Sequence, residues 1–297
     1  MKAPPRKLIT DPETRLRDRF GLALLRASYL VDRAYRSYNR LRMLSVLCLA
    51  SDRFLDTYNE QAYSRLDRYQ AGAVDGLFDW EQQAITAYFP APPSRILIGG
   101  AGAGREALAL ADLGYEVIAF EPALCLLRGF LKQPARNNLQ VYRGNYQSLP
   151  LLQPVREGAA AVDLRSLPPF DAAVFGYGSY SHLRSQQERV AALNRFRSLA
   201  QGPILISFID ISPPGPSSSR NLSRKTTFHR LREPGNLFRL DLGFCNAVVE
   251  AEFAKECAEA GLRIAYPFFR RQPYGSPHAV LLPEVMSRQD TVGADLR

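Results

Sequence analysis

The stretch RILIGGAGAGREALALADLGYEVIAFEP, residues 95–122, decides the fold. An apolar run, Arg95 to Gly99, leads straight into Gly100-Ala101-Gly102-Ala103-Gly104, then into an Ala/Leu-rich helical stretch. A second apolar run from Glu116 to Phe120 ends in Glu121 and Pro122. Strand, glycine turn, helix, strand and acid follow one another in the order of a nucleotide-binding βαβ unit. The glycines let the backbone turn sharply and come close to a ligand, because a Cβ there would take up the ligand's space. Glu121, 17 residues after Gly104, can accept hydrogen bonds from both hydroxyls of a ribose. The expected ligand is therefore a nucleoside-containing cofactor.

Outward from this unit the pattern continues to alternate. Strands are expected at Leu139 to Arg143, Asp171 to Phe175 and Pro203 to Ile209, with helices at Gly104 to Leu113, Ala123 to Phe130 and Ser185 to Leu199. A last helix, Glu250 to Ala260, leads to strands Arg263 to Phe269 and His278 to Leu282 across a Pro273-Tyr-Gly-Ser276 turn. Upstream, Pro12 to about Gln70 is helical in spacing and nearly free of Gly and Pro, and a short helix, Phe78 to Phe89, stops at Pro90-Ala-Pro-Pro93. Two parts are expected: an N-terminal helical cap, 1–75, and a binding domain, 76–297. No internal repeat and no coiled-coil heptads stand out. The segment 211–247 reads as a basic insertion or lid, because its first part is rich in Pro, Ser, Gly and Arg and long for a connection.

Composition limits the function classes. With 46% hydrophobic and 23% charged residues, the 297-residue chain is an ordinary globular protein. No apolar stretch near the N-terminus approaches the roughly 20 residues that cross a bilayer, and there is no leader-like apolar core, so a cytoplasmic location is expected. Cys48, Cys125, Cys245 and Cys257 show no metal-ligand spacing with the three histidines, and no metal site is expected. The net charge of +9 resides in two places: residues 1–75 contribute +5 and residues 211–247 contribute +4. A positive field so clustered concentrates anions near a site.

The spacing narrows the cofactor. A dinucleotide fingerprint wants GxGxxG, but Gly104 falls one residue early, and the terminal GK[ST] of a P-loop is absent. With its GxGxG loop, the sequence resembles the class I S-adenosylmethionine-dependent methyltransferases over roughly residues 78–283. The resemblance takes in Gly144-Asn145-Tyr146-Gln147-Ser148-Leu149-Pro150 after the third strand and FDAAVFGYGSYSHL at 170–183. It implies a Rossmann-like, mostly parallel seven-stranded α/β sheet with helices on both faces and an antiparallel last strand. It further implies S-adenosylmethionine as cofactor, held by Gly100, Ala101, Gly102, Gly104, Glu121, Pro122, Asn145, Tyr146, Gly176 and Tyr177. The acid that the family carries two residues before the loop is Ile98 here. A tyrosine from the helical cap, such as Tyr58 or Tyr63, is a candidate to orient the cofactor's amino-acid end in its place, with packing in the core or on a helix face as the alternative role.

Methyl transfer from a sulfonium asks for alignment and water exclusion, and for a general base when the acceptor carries a proton. His182, in the loop after the fourth strand, is the candidate base, with capping of the helix near Ser185 as its alternative role. Tyr180, Arg220, Arg224 and His229 are candidate substrate contacts, and His278 reads as structural. The expected activity is methylation of a small molecule or peptide, possibly anionic. A nucleic-acid (RNA) methyltransferase and a non-catalytic S-adenosylmethionine-binding protein of the same fold are the alternatives. The sequence leaves the oligomeric state open.

Overall fold

The computed structural model describes residues 12–64, 76–155, 160–209, 235–240, 242–268 and 277–284. The chain divides into two compact units, Met1–Val46 and Leu47–Arg297. In the first, the described residues belong to one long helix, α1 (Pro12–Leu49). The rest run in the order α2 (Asp52–Ser64), α3 (Asp79–Tyr88), β1 (Arg95–Gly99), α4 (Arg105–Asp112), β2 (Glu116–Glu121), α5 (Leu124–Phe130) and β3 (Leu139–Arg143). Then come β4 (Leu151–Pro154), β5 (Val162–Asp163), β6 (Ala172–Phe175), a 3₁₀ turn Ser179–His182, α6 (Gln186–Leu199) and β7 (Ile204–Ser207). The chain closes with β8 (Asn236–Arg239), β9 (Gly243–Asn246), α7 (Glu250–Glu259), β10 (Leu262–Phe268) and β11 (His278–Pro283).

Nine strands form one sheet in the order β10-β11-β7-β6-β1-β2-β3-β4-β5. The strands from β7 to β3 pair in parallel, whereas β11 runs antiparallel to both β7 and β10. This is the Rossmann-like sheet that the sequence predicts, with two more strands on one edge. β4 and β5 escape sequence reading because four and two residues at a half-exposed edge carry too little alternation to register.

Period-two alternation in the central strands serves both faces of the sheet. Leu97, Ile118, Phe120, Ala173, Phe175, Ile204 and Ile206 point into one core, closed by Leu193 and Phe196 of α6 and Phe253 and Cys257 of α7. Ile96, Ile98, Val117, Ala119, Val174 and Leu205 point into the other, closed by Ala84 and Ile85 of α3, Leu108 and Ala111 of α4 and Phe130 of α5. Ile98 thus lies in a fully apolar setting with no exposure, where an acid would have no partner.

The strand order reverses at β1, which pairs with β2 on one side and β6 on the other. A crevice opens at such a switch point beyond the carboxyl ends of the strands, and here the glycine loop, Glu121 and the Gly176–His182 segment all leave the sheet. The C-terminal part of the segment expected as a loop, 236–246, is instead a β8–β9 hairpin with Leu237, Phe238, Phe244 and Cys245 buried. Residues 210–234 lie outside the described part, and with them Arg220, Arg224 and His229. Among the described residues no helix is long and apolar enough to cross a membrane, and no group of His, Cys, Asp and Glu is arranged to hold a metal.

Candidate functional site

The loop after β1 is built from three left-handed glycines, Gly100, Gly102 and Gly104, at φ of 67°, 57° and 95°. A Cβ on Gly100 would strike Ser179, 2.5 Å from its Cβ, and one on Gly104 would strike the Phe130 ring. These two are glycines because protein packs against them. At Gly102 a Cβ would meet nothing within 4 Å, so this is the position where the loop faces open space. Ala101 is buried, and its N–H donates to Phe120 O at 3.0 Å, tying the loop to the end of β2.

Glu121 ends β2 and is buried. Its Oε2 accepts from the Gly102 N–H and its Oε1 from the Ala123 N–H, both at 2.9 Å. Each carboxylate oxygen therefore keeps a further acceptor site. Burial pushes the carboxyl up to about 7, with Glu60 and Glu106 adding like-charge repulsion and the two amides opposing the rise. Pro122 beside it is exposed.

Opposite, the segment after β6 is pinned to the glycine loop. The Gly176 N–H donates to Gly99 O at 2.8 Å, and a Cβ at Gly176 would collide with Gly100 O. The Tyr177 N–H donates to Glu106 Oε1 at 2.8 Å, while the Tyr177 side chain is 43% exposed. Glu106 and Glu81 are buried and share the Arg105 guanidinium, which donates to them at 2.6–2.9 Å and lies 4.0 Å above the Phe78 ring. Burial pushes the Glu81 carboxyl up, against the opposing pull of Arg105. This ionic knot joins α3, the start of α4 and the Tyr177 loop.

His182 ends the 3₁₀ turn. Its Nδ1–H donates to Phe244 O at 2.8 Å, which fixes the tautomer and leaves Nε2 as the acceptor of the Tyr63 hydroxyl. The Asn59 Nδ2, 3.3 Å from Nδ1, is a donor facing a donor, so its proton goes to Phe244 O, also at 3.3 Å. Asn59 Oδ1 in turn accepts the Phe244 N–H at 2.7 Å. Burial pushes the His182 pKa down, so the ring is neutral at pH 7. The role of capping the next helix falls to Ser185, whose Oγ accepts the Glu188 N–H.

α2 links the end of β2 to the turn after β6. Glu60 Oε1 accepts the Leu124 N–H at the start of α5, just after Glu121, and one turn on, Tyr63 reaches His182. Sequence reasoning missed Asn59, Glu60 and Phe244. The first two sit four and three residues before Tyr63 on an amphipathic helix with no motif, and Phe244 acts through its backbone.

Two expected contacts need correction. Tyr146 does not line an opening: its ring is buried against Phe175 and Phe196, and its hydroxyl binds Gly99 O at 2.9 Å and Ser179 Oγ at 2.6 Å. It fixes the end of β1 from beneath. Tyr180 cannot touch a substrate, being fully buried with its hydroxyl donating to Glu256 Oε2 at 2.7 Å. Glu256 also takes the buried Arg189 guanidinium at 2.7–2.8 Å, so this group anchors the turn carrying His182 to α6 and α7. Asn145 is exposed, and its Oδ1 accepts the Ser148 N–H in a tight turn. His278 is buried and stacked on Trp80 with ring centroids 4.3 Å apart.

No protein-family model matches the chain, and no curated protein does. Several solved structures are similar to it at low sequence identity. The CcbJ methyltransferase from Streptomyces caelestis is 16% identical over 77% of this chain and 98% of its own, with a TM-score of 0.47. A SAM-dependent methyltransferase from Methanosarcina mazei is 17% identical over 69% and 96%, TM-score 0.46. The magnesium protoporphyrin IX methyltransferase from Synechocystis PCC 6803, with bound SAM, is 15% identical over 79% and 99%, TM-score 0.48.

Proposed function

We propose that the protein binds S-adenosylmethionine in the β1/β2/β6 crevice and transfers its methyl group to a small molecule or peptide. The observation that carries this reading is the pairing of a buried Glu121, with one acceptor site left on each oxygen, and Gly102, whose Cβ position opens on empty space. A ribose diol fits the first and the nucleoside fits the second. Gly100, Ala101 and Gly104 shape the loop, and Pro122, Asn145, Gly176 and Tyr177 border the crevice. When bound, the cofactor supplies a methyl carbon already activated by the sulfonium, so alignment and exclusion of water remain as the protein's tasks.

Tyr63 and His182 form a proton path. With Nδ1–H held by Phe244 O, the free Nε2 electron pair draws the Tyr63 proton, and the Tyr63 oxygen is then able to take a proton from an acceptor hydroxyl or ammonium. The imidazolium that results is steadied by the Phe244 carbonyl. Thermal unfolding tests the reading: S-adenosylmethionine and S-adenosylhomocysteine should each raise the Tm, by an amount set by RT ln(1 + [L]/Kd). NAD should not. Equal responses to all three, or to none, would sink the proposal.

A further inference from the structure

α1 is a single helix of 38 residues, and on it a seven-residue repeat becomes legible that the linear sequence conceals. Phe20, Leu24, Ala27, Val31, Ala34, Tyr38 and Leu41 alternate at spacings of four and three, every one apolar and every one exposed. Phe20 and Val31 are each 67% exposed, and Tyr38 61%. A second row keeps the same period: Arg19, Arg26, Arg33 and Arg40. At 100° per residue this row lies roughly 130° around the helix from the apolar seam. The flanking positions Gly21, Ala23, Ser28, Leu30, Tyr35 and Ser37 are uncharged. The other apolar cluster of α1, Leu22, Leu25 and Tyr29, is cut off by Asp32, Arg33 and Arg36, so only the seam runs on.

We infer that this seam pairs with the α1 seam of a second copy of the chain in a two-helix coiled coil. Three arguments select that occupant. A strict seven-residue stripe drifts about 20° per heptad on a straight helix, and stays buried only against a partner helix that coils with it. A bilayer surface requires no such period, since an apolar face of any helical spacing can lie in it. Charge agrees: two copies joined by their seams carry their arginine rows outward, with no like charges facing across the contact. Area agrees as well. At the observed exposures the aromatic and aliphatic side chains of the seam and its flanks offer about 600 Å² per helix, on the order of 1,200 Å² for the pair, against the roughly 1,000 Å² expected of a specific interface. Large residues at one seam position (Leu24, Val31, Tyr38) face small ones at the other (Ala27, Ala34), which suits interdigitation.

Sedimentation equilibrium on the full chain tests this. The expected result is a species of twice the 33.2 kDa chain mass whose association weakens at least tenfold with Val31→Arg, in the seam, and is unchanged with Tyr29→Arg, comparably exposed off it. Ala27→Glu, also in the seam, should reproduce Val31→Arg, which guards against one variant misfolding, and far-UV circular dichroism checks helix content. A wild-type chain that stays monomeric at every concentration overturns the inference. So do equal effects of Val31→Arg and Tyr29→Arg, and so does a monomer that binds phosphatidylserine vesicles through the seam.

Discussion

At Gly102 a side chain would meet no protein atom, so Gly102→Val should leave the fold standing apart from the strain of a left-handed β-branched residue. The same Cβ would fill the space assigned to the nucleoside, and cofactor binding should vanish; circular dichroism and a binding titration on one sample check both halves. Gly100 and Gly104 differ, because substitution there strikes Ser179 or Phe130. Glu121 carries a pH signature. Its folded pKa, about 7, lies above the ordinary 4.5, so the folded state holds a proton through that window that the unfolded state has released. Stability is therefore greatest below pH 4.5 from this group and falls as pH rises to 7, by on the order of 3 kcal/mol. Urea unfolding at pH 5 and pH 7 should show that decline in the wild type and much less of it in Glu121→Gln; identical slopes would refute it. Ribose hydroxyls favour the ionised carboxylate, which offsets the loss when the cofactor is bound.

Among the described elements, α2 matters most to the proposed chemistry because it touches both Glu121's neighbourhood and His182. With only three histidines in the chain, an imidazole ¹⁵N spectrum resolves His182 directly. At pH 7 it should show a neutral ring with hydrogen on Nδ1 and none on Nε2, and Tyr63→Phe should shift the Nε2 resonance; a cationic ring at pH 7 would contradict the proton path. Because burial lowers its pKa, His182 adds stability above the ordinary imidazole range, and this is lost as pH falls below about 6.5 and the unfolded ring takes up its proton. These elements also show what the sequence could and could not disclose. β1, α4, β2 and β3 were legible to within a residue or two because Arg95 to Arg143 alternates cleanly and its turns carry Gly or Pro. β4, β5 and the β8–β9 hairpin were not, since strands of two to four residues are too short to show a period. At the candidate site, Glu121 and Gly102 were named from spacing and remain part of the proposal, whereas Tyr180 and Tyr146 lie in the core, since an aromatic residue in a loop reads the same whether it faces a ligand or the core. The Tyr63–His182 contact joins residues 119 apart, and only the folded chain brings them together.

For the molecule as a whole, the parallel sheet, the strand-order reversal at β1 and the acid at the end of β2 converge on one crevice, and the buried knots on either side hold its walls. Glu81, Arg105 and Glu106 fix the Tyr177 loop, while Tyr180, Arg189 and Glu256 fix the turn with His182. In the function proposed above, S-adenosylmethionine is held through Glu121. Calorimetric titration of the wild type and Glu121→Ala with S-adenosylmethionine tests it directly. One site per chain is expected in the wild type and an affinity at least tenfold weaker in the variant, in keeping with the roughly 1.5–3 kcal/mol of hydrogen bonds to a charged group. Absence of binding in the wild type, or equal affinity in the two proteins, would contradict it.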